Sequence, residues 1–115
     1  MNLNQWQIVS VSLDPTIGSE QGKTRPCVII SADYINERIN TVVVLPITTR
    51  KAGRRIYPNE VNLPVESSRL PNESIILIHQ VRAVDKKRIG RELGNIFSHQ
   101  IQEEVFEAID FNFDR

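Results

Sequence analysis

The polar side chains that could take part in chemistry stand where predicted strands meet loops. Arg25 opens the second predicted strand and Thr48 closes the third. Strand ends beside loops are where a rigid scaffold exposes functional groups. A guanidinium can hold two oxygens of an anion, and a hydroxyl can donate or accept one hydrogen bond. The sequence contains no glycine-rich phosphate loop and none of the motifs GxSxG, HExxH and CxxC. The chemistry that these residues can support is therefore stabilisation of a ligand by fixed polar donors.

A second group of polar residues follows from the alternation of residues 74–84, which are predicted to form the longest strand. Side chains two apart share a face of a strand, so Ser74, Gln80 and Arg82 would point the same way. A face that mixes Gln and Arg with apolar residues meets either solvent or a ligand, and the pattern leaves both open. His79 would lie on the opposite face, where a core or half-buried position is expected.

Basic residues are clustered in the predicted loop 49–58, at Arg50, Lys51, Arg54 and Arg55. The chain as a whole has 14 basic and 14 acidic side chains and a formal net charge of zero, which excludes a uniformly basic nucleic-acid coat. Local clusters set the field that a polyanion would feel. This loop is therefore a candidate phosphate contact, and an ordinary solvated loop is the alternative.

Composition predicts one soluble domain over residues 1–115. Hydrophobic residues make up 40% of the chain and charged residues 24%, as in globular proteins. The longest apolar run, residues 42–45, is far shorter than the roughly 20 residues of a membrane helix, and no signal peptide is visible. Cys27 is the only cysteine, which excludes an intrachain disulfide and a cysteine-cluster metal site and fits a reducing cytoplasm, the expected location.

Short strands dominate the predicted secondary structure. A loop rich in Asp, Pro, Gly and Ser separates the first two strands at residues 14–24, and residues 32–39 form a turn or short helix. Ser98 is the predicted N-cap of a helix that runs to about Phe113, with Ile101, Val105, Ile109 and Phe113 packed on the sheet. The fold class is therefore a small, mainly antiparallel barrel with helical additions. The predicted strands are residues 5–13, 25–31, 40–48, 59–63, 74–84 and 89–93.

Three stretches of the chain resemble the MazF/PemK family of bacterial toxin endoribonucleases. They read VSLDPTIGSEQGKTRPCVIIS at residues 11–31, VVVLPIT at residues 42–48 and LPNESIILIHQVRAVDKKRIG at residues 70–90. The resemblance covers nearly the whole chain. It implies an SH3-like barrel of the CcdB/PemK type, which is usually assembled as a homodimer.

The resemblance also implies a function and a set of site residues. The expected activity is metal-independent and cofactor-free cleavage of single-stranded RNA at a short sequence, leaving a 2′,3′-cyclic phosphate and a 5′-hydroxyl. The catalytic arginine and threonine of the family fall on Arg25 and Thr48, and the glutamate of its GxEQG loop falls on Glu20. Ser74 and Gln80 look like residues that contact RNA in the family, and the loop at residues 14–22 would gate the groove. To these RNA contacts we add Arg82 and the basic cluster.

This chemistry is consistent with the residues present. A ribose 2′-hydroxyl is the nucleophile, so no protein serine or cysteine is needed, and Arg25 and Thr48 can stabilise the developing charge. Arginine is a poor general base. Two alternatives remain open. Glu20 accepts the proton if the loop brings it close, or Arg25 acts mainly through its charge.

Partners and alternatives follow from the same resemblance. Toxins of this family are held by an antitoxin whose acidic, partly disordered segment folds onto them. The CcdB family shares the barrel but poisons gyrase through a Trp-Gly-Ile ending, whereas this chain ends in FNFDR. A gyrase-binding toxin and a non-catalytic binding barrel are therefore the alternatives to RNA cleavage.

Overall fold

A computed structural model describes residues 2–115, which form seven strands and two α-helices. Among these residues no helix is long and apolar enough to cross a membrane. The strands are β1 (Gln7–Ser12), β2 (Thr24–Ile29), β3 (Thr41–Thr49), β4 (Glu60–Leu63), β5 (Ser74–Leu77), β6 (Arg82–Asp85) and β7 (Ile89–Asn95). The helices are α1 (Asp33–Asn36) and α2 (His99–Asn112), with 3-10 turns at Val65–Ser67, Ile78–Gln80 and Lys86–Arg88.

All strand pairs are antiparallel, and the strands lie in the order β4-β5-β3-β2-β1-β7. The nine residues of β3 serve three neighbours: Thr41–Val44 pair with β6, Val44–Pro46 with β2, and Ile47–Thr49 with β5. This strand is rich in β-branched residues, which suit a strand buried on both faces. The mainly antiparallel fold with a C-terminal helix, predicted from the sequence, is confirmed.

The predicted strand over residues 74–84 is wrong, because the chain breaks it into two. A 3-10 turn at Ile78–Gln80 separates β5 from β6, and the two strands pair with different parts of β3. The alternation that placed Ser74 on one face with Gln80 and Arg82 does not continue through this turn. His79 lies in the turn and is exposed, so the predicted core or half-buried position is wrong.

Apolar side chains cover both faces of the central strands. One cluster joins Ile8, Val28 and Leu45 to the helix α2, and the other contains Val9, Val11, Cys27, Ile29 and Val44. Residues that alternate along β1 and β2 enter different clusters, as a strand buried on both sides requires. The second cluster ends beside Arg25, two residues before Cys27 on the same face of β2.

Helix α2 begins where the sequence predicts. The Ser98 hydroxyl accepts a hydrogen bond from the Ile101 backbone N–H at 3.2 Å, which satisfies one of the free N–H groups of the first turn. Its buried residues are Ile101, Val105 and Ala108. Phe113 is exposed, so its predicted place in the packed stripe is wrong, because a helix of 3.6 residues per turn rotates a four-residue repeat off the core face.

Candidate functional site

The site lies where the ladder between β2 and β3 ends. The last paired residues are Cys27 and Pro46, and the same register continued by two residues would set Arg25 opposite Thr48. Pro26 and Pro46 have no backbone N–H, so they cannot donate ladder hydrogen bonds at this point. Beyond the end of this ladder, β1 holds Arg25 through the Val11–Arg25 pair and β5 holds Thr48 through the Thr48–Ile75 pair. The two strands therefore have different neighbours where their pairing stops.

A cavity of about 400 Å³ occupies this end of the ladder, and both Arg25 and Thr48 line it. Three of its lining residues are cationic, namely Lys23, Arg25 and Lys51, and none is Asp or Glu. Its other lining residues are Thr24, Pro26, Ile47, Thr48, Thr49, Leu70, Pro71, Asn72 and Ser74. A concave site with cations and no carboxylate favours an anionic ligand.

Arg25 is half-buried and oriented by its own loop. Its Nε–H donates to the Gly22 carbonyl at 3.0 Å, while its two terminal nitrogens make no hydrogen bond to the described residues 2–115. Those two donors can therefore reach a ligand with the planar geometry that suits phosphate oxygens. Thr48 is half-buried on the facing strand, and its hydroxyl is a neutral hydrogen-bonding group that lines the same cavity.

Ser74, predicted to contact RNA, lies in the same cavity but is almost fully buried. Its hydroxyl donates to the Asn72 carbonyl at 2.9 Å. This bond fixes the loop that enters β5. Ser74 therefore brings one wall of the cavity into position, and only a small part of its side chain is accessible.

Glu20, Gln80 and Arg82 line a second cavity of about 480 Å³, together with Pro15, Gln21, Pro46, His79 and Val81. The Glu20 carboxylate accepts a hydrogen bond from the Ile17 backbone N–H at 2.7 Å and is exposed. Pro46 belongs to this cavity, whereas the next two residues of β3 belong to the first. The structure thus separates Glu20 from the cavity that holds Arg25 and Thr48.

Gln80 and Arg82 hold the loop between β1 and β2. The Gln80 amide donates to the Ser19 carbonyl and accepts from the Gln21 N–H, both at 3.4 Å. Arg82 donates to the Leu13 carbonyl at 3.2 Å. These contacts attach the loop at its start and its middle, so both side chains are engaged with backbone groups in this conformation.

The basic cluster divides into paired and free members. Arg54 forms a two-pronged ion pair with Glu60, at 3.0 and 2.7 Å, and Arg50 donates to Asn62 at 2.9 Å and Glu73 at 3.2 Å. Lys51 and Arg55 are exposed and form no ion pair within residues 2–115. Lys51 alone of the four lines the cavity with Arg25.

The Arg54–Glu60 pair shifts the pKa of both groups. Burial of Glu60 disfavours its charged form, but hydrogen bonds from Arg54 and from the Tyr57 N–H outweigh this and hold its pKa below the ordinary value. The hydrogen bond to Glu60 in turn raises the pKa of Arg54. The pair stabilises the folded loop as a unit and leaves Arg54 committed to a partner.

Cys27 lies beside the site but is fully buried, which is unfavourable for a nucleophile. Burial raises the pKa of its thiol to about 12, against the opposing charges of Arg82 and Arg25, so the thiolate form is scarce at neutral pH. In the described part of the chain, no group of three or more His, Cys, Asp or Glu side chains is placed to hold a metal ion. The polar side chains that line the cavity with Arg25 and Thr48 are cations, hydroxyls and one amide.

Sequence reasoning did not select Lys23, which stands two residues before Arg25 and lines the same cavity. Its backbone has φ of +63°, a conformation that residues other than glycine rarely adopt. The sequence carries no local signal for this conformation, since Lys23 follows Gly22 in a loop where glycine would be expected to take it.

The chain matches a known protein family along most of its length. The sequence model described as "PemK-like, MazF-like toxin of type II toxin-antitoxin system" matches residues 4–113. A protein named Endoribonuclease MazF, from Staphylococcus saprophyticus, is 36% identical over 110 residues, which cover 96% of this chain and 90% of that protein.

Solved structures share the fold. MazF from Deinococcus radiodurans superposes with a TM-score of 0.81 at 24% identity, covering 97% of this chain and 96% of that one. The Mycobacterium tuberculosis toxin MazF-mt6 has a TM-score of 0.76 at 24% identity, over 94% and 96% of the two chains. A MazE-MazF structure from Deinococcus radiodurans has a TM-score of 0.76 at 22% identity, over 99% and 98%.

Proposed function

This chain belongs to the PemK-like and MazF-like toxins of type II toxin–antitoxin systems, and we propose that it is an endoribonuclease that cleaves single-stranded RNA at a short sequence. The observation that carries the proposal is the cavity in which Arg25 and Thr48 meet among cations and without a carboxylate. A similar protein of Staphylococcus saprophyticus bears the name endoribonuclease, which supports the same activity here.

The proposed reaction is attack of a ribose 2′-hydroxyl on the adjacent phosphate. The bond from phosphorus to the 5′-oxygen breaks as the bond from the 2′-oxygen forms, which leaves a 2′,3′-cyclic phosphate and a 5′-hydroxyl. The two terminal nitrogens of Arg25 bind the non-bridging oxygens, and the Thr48 hydroxyl supplies one further hydrogen bond. Donors that are already in place when negative charge develops lower the barrier by about 3–4 kcal/mol each in measured enzymes.

Charge stabilisation by protein groups allows the reaction without a metal ion. The departing 5′-oxygen must gain a proton, and the attacking 2′-hydroxyl must lose one. Arginine is a poor acceptor for the proton of the 2′-hydroxyl. Glu20 lines the neighbouring cavity, so it can accept this proton only after the loop at residues 14–22 moves. Arg25 acting through its charge is the second route, and both routes keep Arg25 as the indispensable group.

The proposed partners are an antitoxin and a second copy of the chain in the cytoplasm. The cations around Arg25 would attract an acidic antitoxin segment, which would compete with RNA for the cavity. One similar solved structure is named as an endoribonuclease in complex with its cognate antitoxin, which supports this part of the proposal. Two-fold dimers are also the commonest assembly of small domains.

Replacement of Arg25 by alanine tests the proposal. Purified protein is incubated with a mixed RNA pool in the presence of EDTA, and the ends of the fragments are sequenced. We expect the wild type to produce 5′-hydroxyl ends at one short motif and Arg25→Ala to reduce the rate by at least about 100-fold, as loss of a charge-stabilising donor does in other enzymes.

The matched control is Arg38→Ala, since Arg38 is exposed, contacts Glu37 and Tyr34, and lies outside both cavities. This variant should cleave like the wild type. Equal cleavage by the wild type and the Arg25 variant, with both folded by circular dichroism, would refute the assignment. So would complete loss of wild-type cleavage in EDTA.

A further inference from the structure

The cations at the cavity differ in how they are held. Arg25 is oriented by the Gly22 carbonyl, whereas Lys23 and Lys51 form no ion pair within residues 2–115. Two arginines of the neighbouring basic loop, Arg50 and Arg54, form ion pairs with Glu73 and Glu60. The charge that the cavity presents to a ligand beyond Arg25 therefore comes from the two lysines.

Lys23 occupies its position at an energetic cost. A left-handed φ costs a residue with a Cβ roughly 1–2 kcal/mol relative to glycine, and the side chain of Lys23 is exposed and makes no hydrogen bond to the described residues. Among the described residues, the other left-handed positions are Gly18 and Gly53 together with Trp6, Arg69 and Asp114. Of the four that are not glycine, Lys23 is the one that lines the cavity. Packing thus gives no reason for lysine at this position, and an unfavourable backbone retained at a site indicates a function of the side chain.

The surrounding hydrogen bonds keep Lys23 in this conformation. The Leu13 N–H donates to the Lys23 carbonyl at 2.8 Å, which ties the residue to the end of β1. The preceding Gly22 carbonyl accepts from Arg25. The same turn therefore orients the guanidinium and carries the lysine to the rim of the cavity.

We propose that the Lys23 ammonium binds a backbone phosphate of the substrate next to the phosphate held by Arg25 and Thr48. This inference rests on the proposed ribonuclease function and adds a residue to it. A lysine is a compact charge on a flexible stem, so it can follow the mobile backbone of a single strand without reading its bases. Lys23 is thus a binding and positioning residue, and its contribution is independent of the RNA sequence.

The experiment separates the charge of Lys23 from its backbone conformation. Lys23→Asn removes the charge, and asparagine tolerates left-handed backbone better than most residues; Lys23→Arg keeps the charge. Lys87→Gln is the matched control, since Lys87 is exposed and lines neither cavity. KM and kcat for one short RNA are measured between low and moderate salt for each protein.

For Lys23→Asn we expect KM to rise by roughly 3- to 10-fold at low salt with kcat within twofold, because a phosphate contact is lost. Its plot of log(kcat/KM) against log salt should be less steep by about 0.7, the value for one phosphate contact on a single strand. Lys23→Arg and Lys87→Gln should keep the wild-type KM and leave Lys23→Asn as the only variant with a raised KM.

A Lys23→Asn variant with the wild-type KM and salt slope would overturn the inference while wild-type cleavage and its loss in Arg25→Ala left the proposed function standing. The same unchanged kinetics with weaker inhibition by an acidic peptide would also overturn it, and would assign Lys23 to an antitoxin. A wild type that does not cleave RNA would remove the proposed function itself.

Discussion

At the scale of single residues, the neighbours of a side chain decide what it can do. Arg25 and Arg54 are the same residue type, but Arg54 has a buried carboxylate as its partner and Arg25 has only a backbone carbonyl. A guanidinium with free terminal nitrogens can bind a phosphate, whereas one held by a carboxylate must first break an ion pair. The availability of Arg25 is therefore a property of its surroundings.

Glu20 provides a test at the same scale. Because its carboxylate lines a different cavity from Arg25 and Thr48, we expect Glu20→Gln to reduce single-turnover cleavage less than Arg25→Ala, by about 10-fold against at least about 100-fold. The measurement is the cleavage rate constant of each variant across a pH series on one short RNA.

A Glu20→Gln rate as low as that of Arg25→Ala would contradict this expectation. Combined with loss of the acid limb of the pH profile, it would show that the loop moves and that Glu20 accepts the proton. Gln21→Glu, which adds a carboxylate beside it, is a control for the charge of the loop.

At the scale of secondary-structure elements, the site exists because one long strand exchanges partners. β3 pairs with β2 as far as Pro46 and with β5 from Ile47 onward. Two prolines at the point of exchange remove ladder donors, so β2 and β3 end their pairing with Arg25 and Thr48 on facing strands. The helix α2 packs on the apolar cluster that contains Ile8, Val28 and Leu45, and it supports the sheet without lining the cavity.

The N-cap of α2 gives a prediction at this scale. Ser98→Ala removes the hydroxyl that accepts from the Ile101 N–H and should lower the free energy of unfolding by about 1 kcal/mol. Cleavage should stay at the wild-type rate, since Ser98 lies outside both cavities. Urea denaturation followed by circular dichroism measures the free energy of unfolding. Ser98→Asp, which restores a cap, is the control.

At the scale of the whole molecule, a net charge of zero conceals an uneven distribution. The cavity around Arg25 is lined by three cations and no carboxylate, while three of the four acidic residues of α2, namely Glu103, Glu107 and Asp110, are exposed. Within the basic loop, Glu60 and Glu73 neutralise two arginines. RNA would therefore meet a positive field at this cavity on a molecule that is neutral overall.

The Glu60–Arg54 pair predicts how stability depends on pH. The folded protein lowers the pKa of Glu60 below its ordinary value of 4.5. The stabilisation that the Glu60–Arg54 pair gives to the folded state is thus complete above that pH, and it is lost as the pH falls through the pKa of Glu60 in the folded protein. Glu60→Gln should lower the free energy of unfolding at pH 7, and the difference from the wild type should narrow below about pH 4.

Urea unfolding at a series of pH values measures both curves. Glu37→Gln is the control, because Glu37 and its partner Arg38 are exposed and such pairs contribute little. Parallel curves for the wild type and Glu60→Gln would contradict the prediction.

Much of the fold could be predicted because its signals are local. The N-cap Ser98, the β-branched run of β3 and the loop at residues 14–24 are each visible in a few neighbouring residues. The break at Ile78–Gln80 could not be predicted, since SIILIHQV is apolar enough to continue as one strand. Whether the strand continues is decided by pairing with β3, because β5 and β6 pair with different parts of β3 and in different registers.

By itself, the sequence determined the mainly β class, the terminal helix, the family resemblance and the choice of Arg25 and Thr48 as residues at strand ends. Only the tertiary structure decided which side chains share a cavity: Arg25 with Thr48, Lys23 and Lys51, and Glu20 with Gln80 and Arg82. It also decided that Arg50 and Arg54 are neutralised. The physical reason is that propensity and capping act between neighbours in the chain, whereas cavities and ion pairs join residues that only strand pairing brings together.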